Sequence, residues 1–124
     1  SVPCYITGHS LGGALATLAA ADLSSTALNN QIQLYTYASP RVGDSAFAQS
    51  FNARVPNSYR IVNLTDTIAQ VPPSRIKGQR YQHIGQRWSF MHYTGDIALS
   101  HAIPLYQLAI RRQVESNQLP QFPL

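Results

Sequence analysis

Residues 2–7, Val-Pro-Cys-Tyr-Ile-Thr, are rich in β-branched and aromatic side chains, Gly8 breaks the run, and a helical pattern with Leu11, Leu15 and Leu18 on one face follows at once. A β-run that turns directly into a helix predicts a strand, a sharp turn and a helix packed back beside that strand. The pattern then repeats. Ile32 to Tyr37 carries a second strand signal, and Ser39-Pro40-Arg41-Val42-Gly43 ends it with turn chemistry. Asp44 suits the cap of a following helix on which Phe47 and Phe51 lie one turn apart. Pro56-Asn57-Ser58 closes that helix before a strand over Tyr59 to Leu64, and Asp66 falls in the loop beyond. Strands alternating with helices imply right-handed crossovers and a mainly parallel sheet with helices on both faces, so the expected fold class is α/β.

The last third is less regular. Pro72-Pro73 keeps the chain extended, and Tyr81 to Phe90 has enough β-formers for one strand or for a hairpin turning near Gly85-Gln86. Ser100 suits a helix cap, Pro104 the first turn, and apolar residues through Ile110 lead to Arg111 and Arg112 near the negative helix end. Residues 117–124, with two prolines and no periodicity, are expected to form an extended tail. The chain shows no internal repeat.

Composition narrows the function classes. Hydrophobic residues make up 44% and charged residues 11% of the 124, which describes a globular chain with a real core. The longest apolar stretch, Leu11 to Leu23, is interrupted by Gly12, Gly13, Thr17 and Asp22 and falls short of a membrane span. The net charge of +4 has its densest source at Arg75, Lys77, Arg80 and Arg87. That group reads as solvated surface or as a weak attraction for anionic lipid or acidic products, and nucleic-acid binding has little support. The single Cys4 sits in a strand pattern and is expected to be a buried, inert thiol. The amino terminus lacks Met and the charged-then-apolar pattern of a secretion signal, so it reads as a chain opened within a domain, with secreted and cytoplasmic locations both open.

The first turn also carries chemistry. Gly8-His9-Ser10-Leu11-Gly12 matches G-x-S-x-G, which places a serine on a strained strand-to-helix turn with its hydroxyl above the sheet. Side chains at Gly8 or Gly12 are expected to crowd the strand, the helix and the substrate. The helix amino terminus and the amide of Leu11 could stabilise an oxyanion. His9, next to Ser10 on a tight turn, points elsewhere and is expected to be a structural or hydrogen-bonding residue.

A serine nucleophile needs a histidine base and a carboxylate to orient it, and here both must lie downstream. Among Asp22, Asp44, Asp66 and Asp96, the first sits late in a helix and the second fits a cap, whereas Asp66 directly follows a strand. Asp96 competes with Asp66, but its place five residues before His101 also suits ordering that loop. His83 lies within a predicted strand and His92 at its end, whereas His101 follows a loop and opens a helix, which suits a side chain reaching back to Ser10. Ser10, Asp66 and His101 each follow a strand, so a parallel sheet brings all of them to its carboxyl edge.

Taken together, Thr7-Gly8-His9-Ser10-Leu11-Gly12-Gly13-Ala14-Leu15-Ala16, Tyr37-Ala38-Ser39-Pro40-Arg41-Val42-Gly43-Asp44, Arg60-Ile61-Val62-Asn63 with Asp66, Val71-Pro72-Pro73, and Ser100-His101 with Tyr106 resemble the class 3 lipases. The resemblance runs from Tyr5 to about Tyr106 and implies an α/β-hydrolase fold with Ser10 as nucleophile, Asp66 as acid, His101 as base and Leu11 as one oxyanion donor. It implies that residues 1–124 are the carboxyl-terminal portion of a single domain. The preceding strands, lid and second oxyanion residue would come from a longer chain or a second chain. The strand over Val2 to Thr7 would then be central in the full sheet, and here it leaves an open edge. The leading expectation is hydrolysis of lipid carboxylic esters, triacylglycerol foremost, through an acyl-enzyme, at a lipid–water interface and with no metal or organic cofactor. The rival expectation is a non-catalytic hydrolase-like module whose sheet another chain completes.

Overall fold

In the computed structural model, residues 2–28 and 30–116 are described. The expected tail over 117–124 lies outside them. In chain order the elements are β1 (Cys4–His9), α1 (Leu11–Leu23), β2 (Ile32–Tyr37), β3 (Gly43–Asp44), α2 (Ser45–Arg54), β4 (Ser58–Asn63), a 3₁₀ turn (Ile68–Gln70), β5 (Arg75–Ile76), β6 (Gln79–Gln82), β7 (Gln86–Phe90), α3 (Ile97–His101) and α4 (Ile103–Glu115).

Four strands form a sheet in the order β1-β2-β4-β7, every neighbouring pair parallel. Parallel pairing needs crossovers, and the crossovers here are α1, α2 and the long connection from β4 to β7. One face of the sheet presents Ile32 and Leu34 to Ala16 and Ala20 of α1 and to Ala48 and Phe51 of α2, with Val55 and Ile84 closing the cluster. The other face presents Tyr59, Ile61 and Trp88 to Tyr106 of α4. Helices therefore cover both faces, as the alternation of patterns requires.

The packing of α1 departs from a simple reading of its leucines. Gly13, Ala16, Thr17 and Ala20 are the buried residues, whereas Leu11, Leu15 and Leu18 are 69%, 58% and 48% exposed. Small residues bring the helix axis close to the sheet: a Cβ on Gly13 would stand 2.7 Å from Cβ of Ser39. Close approach on that face turns the leucine row outward among the described residues. Strand β1 lies at the sheet edge, and its Cys4 is only partly buried rather than enclosed.

Several local expectations are corrected. No hairpin turns at Gly85-Gln86: β6 pairs with β3 and β5, β7 pairs with β4, and the hairpin is β5–β6 with its turn at Lys77-Gly78. Gly85, at φ +79° and against Ser58, instead redirects the chain into β7. His83 follows β6 rather than lying in a strand. Asp96, not Ser100, caps the helix that carries the histidine, its carboxylate accepting from the Leu99 amide at 2.9 Å. His101 therefore ends α3 instead of opening a helix, and Pro104 in the first turn of α4 enforces the break between the two.

Candidate active site

Ser10 sits between β1 and α1 with φ 59° and ψ −126°, a conformation that costs a non-glycine residue about 1–3 kcal/mol. Three backbone hydrogen bonds hold it there. The Ser10 amide donates to the Tyr37 carbonyl at 3.0 Å, and the Ser10 carbonyl accepts from Gly13 and Ala14 at 2.9 and 3.3 Å. The turn is this tight because Gly8 has no side chain: a Cβ there would stand 2.0 Å from the Gly12 carbonyl oxygen. Gly12 does not share that constraint, since a Cβ on it meets nothing within 4 Å. The crowding expected at Gly12 belongs to Gly13 instead, because the small-residue face of α1, not its first turn, abuts Ser39.

Asp66 and His101 arrive by different routes. After β4 the Asp66 amide donates to the Asn63 carbonyl at 2.9 Å, a tight turn that buries the carboxylate completely. His101, at the end of α3, has a side chain 17% exposed. Its Nδ1 stands 2.9 and 3.1 Å from the two Asp66 oxygens, and its Nε2 stands 2.6 Å from Ser10 Oγ. A carboxylate can only accept, so Nδ1 carries the proton in the neutral ring and Nε2 is left to accept from the serine hydroxyl. Residues 91 and 35 positions apart are thereby joined in one relay at the carboxyl edge of the sheet.

Tyr106, Asn63, Thr94 and Ser100 support this relay, and none was assigned a part in it on sequence grounds. Tyr106 is 1% exposed and its hydroxyl donates to Asp66 Oδ2 at 2.7 Å while accepting from the Asn63 amide at 3.0 Å. Burial pushes its phenol far up from the ordinary value, and the hydrogen bond and charge of Asp66 add to this, so it stays a donor at every physiological pH. Asn63, fully buried, donates to the carbonyls of His92 and Ser100 at 3.1 and 3.2 Å and accepts from the His92 amide at 3.0 Å, tying the end of β4 to the segment before His101. Thr94 and Ser100 share a 2.7 Å hydroxyl contact in that same segment. His9, expected to be structural, donates from Nε2 to the His101 carbonyl at 2.7 Å, with the two rings 4.8 Å apart.

Leu11 is the first residue of α1, so its amide belongs to the first turn, whose N–H groups have no intrahelical acceptor. A cavity of about 480 Å³ is lined by His9, Tyr37 and Tyr106 with Ile103, Gln107, Ile110 and Arg111 of α4. Among the described residues no group of three His, Cys, Asp or Glu side chains is arranged to hold a metal ion, and no helix is long and apolar enough to cross a membrane.

A parallel sheet with helices on both faces and a strained serine at its carboxyl edge is the architecture of the α/β-hydrolases, and solved structures similar to this chain are lipases of that fold. The family model for Lipase (class 3) matches residues 1–76, and the chain belongs to that family. A secreted mono- and diacylglycerol lipase of Fusarium solani is 44% identical over 68 residues, covering 55% of this chain and 20% of that protein. The Rhizomucor miehei lipase in its propeptide complex matches with a TM-score of 0.66 and 34% identity over 73% of this chain and 29% of its own. A triacylglycerol lipase whose catalytic centre is described as a serine protease triad matches with a TM-score of 0.65 and 36% identity, over 72% of this chain and 34% of its own. The chain spans about a fifth of the length of the curated relatives it matches.

Proposed function

We propose that this chain carries the catalytic triad of a serine hydrolase that cleaves carboxylic esters of lipids. The observation that carries the reading is the unbroken relay from Ser10 Oγ through His101 to the buried Asp66, with spacings of 2.6 and 2.9 Å. Ser10 Oγ attacks the ester carbonyl carbon as His101 Nε2 takes its proton, and Asp66 holds the resulting imidazolium. The negative charge that forms on the carbonyl oxygen faces the amide of Leu11 and the positive end of α1. His101 then passes its proton to the leaving alcohol, which departs and leaves an acyl group on Ser10. A water molecule, deprotonated by His101, attacks that acyl carbon, and the fatty acid leaves as the proton returns to Ser10. None of these steps needs a metal or organic cofactor.

Glycerides are the substrate class this reading favours, supported by the mono- and diacylglycerol lipase and triacylglycerol lipase among the relatives. In the same reading residues 1–124 are the carboxyl-terminal portion of one hydrolase domain. The exposed leucine row of α1 and the edge position of β1 support a sheet that continues beyond β1.

A serine-directed fluorophosphonate with intact-mass analysis tests the assignment. One adduct per protein is expected on Ser10, lost in Ser10→Ala and His101→Ala, with ester turnover lost alongside it. A folded wild-type protein that takes no label would leave the rival reading, a hydrolase-like module without catalysis.

A further inference from the structure

The face of the sheet under α1 and α2 carries a row of charge that the ester chemistry does not use. Thr36 on β2 pairs with Arg60 on β4, and Arg60 pairs with Arg87 on β7, so the three side chains stand in line on one face. Two guanidinium groups directly opposite one another on neighbouring strands repel. Arg60 is also largely withdrawn from water, and its Nε has no hydrogen-bond partner. Beside it the Thr36 hydroxyl, 1% exposed, is likewise buried without a partner.

Among the described residues no carboxylate offsets this charge. The chain has five acidic residues, and each is placed elsewhere. Asp22 lies on α1, Asp44 caps α2, Asp66 sits in the relay, Asp96 caps α3 and Glu115 ends α4. The His101–Asp66 contact is the sole ion pair among the described residues. Arg41 lies near enough for its charge to act on Arg60, and its guanidinium donates to the carbonyls of Gln70 and Pro72.

We propose that Arg60 and Arg87, with Arg41 and the Thr36 hydroxyl, form a binding site for an oxyanion of the phosphate class. A planar guanidinium fork matches such an anion in paired hydrogen bonds, and a bound oxyanion would cancel the repulsion and occupy the unpartnered Arg60 Nε and Thr36 Oγ1 together. Arg87 is exposed, which leaves the row open to solvent at its β7 end. The field of the cluster is visible in its neighbours. Burial, then the charges of Arg87 and Arg41, pull the Arg60 guanidinium down to about 10. Burial, then Arg60 and Arg41, hold His83 down to about 3, so that the site's positive charge comes from its arginines alone.

The anion could be free phosphate or the headgroup of an anionic lipid, and two arms separate these. In the first, thermal unfolding of the full-length protein is followed in sodium phosphate against sodium chloride of equal ionic strength. A phosphate-specific rise of roughly 8 °C is expected at a hundredfold excess over Kd. Arg87→Glu supplies a carboxylate beside Arg60, so it should raise the melting temperature without ligand and abolish the response to phosphate. Arg87→Gln, which adds no charge, should weaken phosphate binding at least tenfold by calorimetry. In the second arm, phosphatidylcholine vesicles with and without phosphatidic acid are sedimented with the protein. Pelleting that requires phosphatidic acid and is lost in Arg87→Glu assigns the site to a lipid headgroup. Phosphate stabilisation without pelleting assigns it to a free oxyanion. Absence of both responses, or either one persisting undiminished in Arg87→Glu, overturns the proposal.

Discussion

Tyr106→Phe removes one oxygen from the structure and leaves the ring packing in place. The ring stacks edge-on against Phe90 at 5.2 Å and 80°, and that contact survives the change. Two hydrogen bonds do not. Asp66 loses the donor at 2.7 Å, and a hydrogen bond to a charged group contributes about 1.5–3 kcal/mol. The Asn63 amide loses its acceptor at 3.0 Å, and an unsatisfied buried N–H costs about 1–3 kcal/mol. The two share one oxygen and are not additive, so the expected destabilisation is about 2–5 kcal/mol, a fall in Tm of roughly 6–15 °C. Asp66 keeps the Ile68 amide at 3.1 Å and His101, so the relay loosens without breaking. Turnover of a short-chain nitrophenyl ester should therefore drop about tenfold in kcat with KM nearly unchanged, the signature of a positioning residue that does not touch substrate. Circular dichroism melts and steady-state kinetics read both effects. A variant whose Tm falls by less than about 2 °C, under about 1 kcal/mol, and with unaltered kcat would refute the view that this hydroxyl holds the carboxylate.

Asp66→Asn should keep the fold yet lower kcat by about 10⁴, because the amide favours the wrong imidazole tautomer, and a loss under tenfold would remove Asp66 from the mechanism. The glycines of the turn should separate sharply in urea denaturation. Gly8→Ala, with its Cβ 2.0 Å from the Gly12 carbonyl, should prevent folding, whereas Gly12→Ala, which meets nothing within 4 Å, should change stability by less than about 1 kcal/mol. Stability should also carry a signature of His83, whose folded value is held down to about 3, below its ordinary 6.5. Between those values the unfolded chain binds the extra proton. The contribution is thus complete above pH 6.5 and is lost as pH falls toward 3, and His83→Gln should flatten that slope in chemical denaturation measured across the range.

Much of the fold was legible because its causes are local. Strand β2 was bounded at Ile32 and Tyr37 by side-chain type alone, and Asp44 was readable as a cap because a carboxylate three residues before an amide, here Phe47 at 2.8 Å, is a short-range device. The segment after β4 was harder. His101 was expected to open a helix and instead ends one, because Pro104 and the cap at Asp96 divide a stretch that periodicity alone reads as continuous. Tyr81 to Phe90 was read as one strand or a hairpin and is neither, since nothing in that stretch states that its first half will pair with β3 and β5 and its second half with β4.

Sequence by itself determined the alternation of strand and helix from β1 through β4, the strained serine turn and the candidate residues Ser10, Asp66 and His101, which follow from side-chain pattern, the G-x-S-x-G motif and the order of residues along the chain. Tertiary structure alone decided which carboxylate meets His101, that Tyr106 reaches Asp66 across 40 positions, that the leucines of α1 face outward, and that Arg60 lies beside Arg87. The reason is physical: each of these depends on strand order, register and helix approach, which are set by burial summed over the whole core and not by any short stretch of chain.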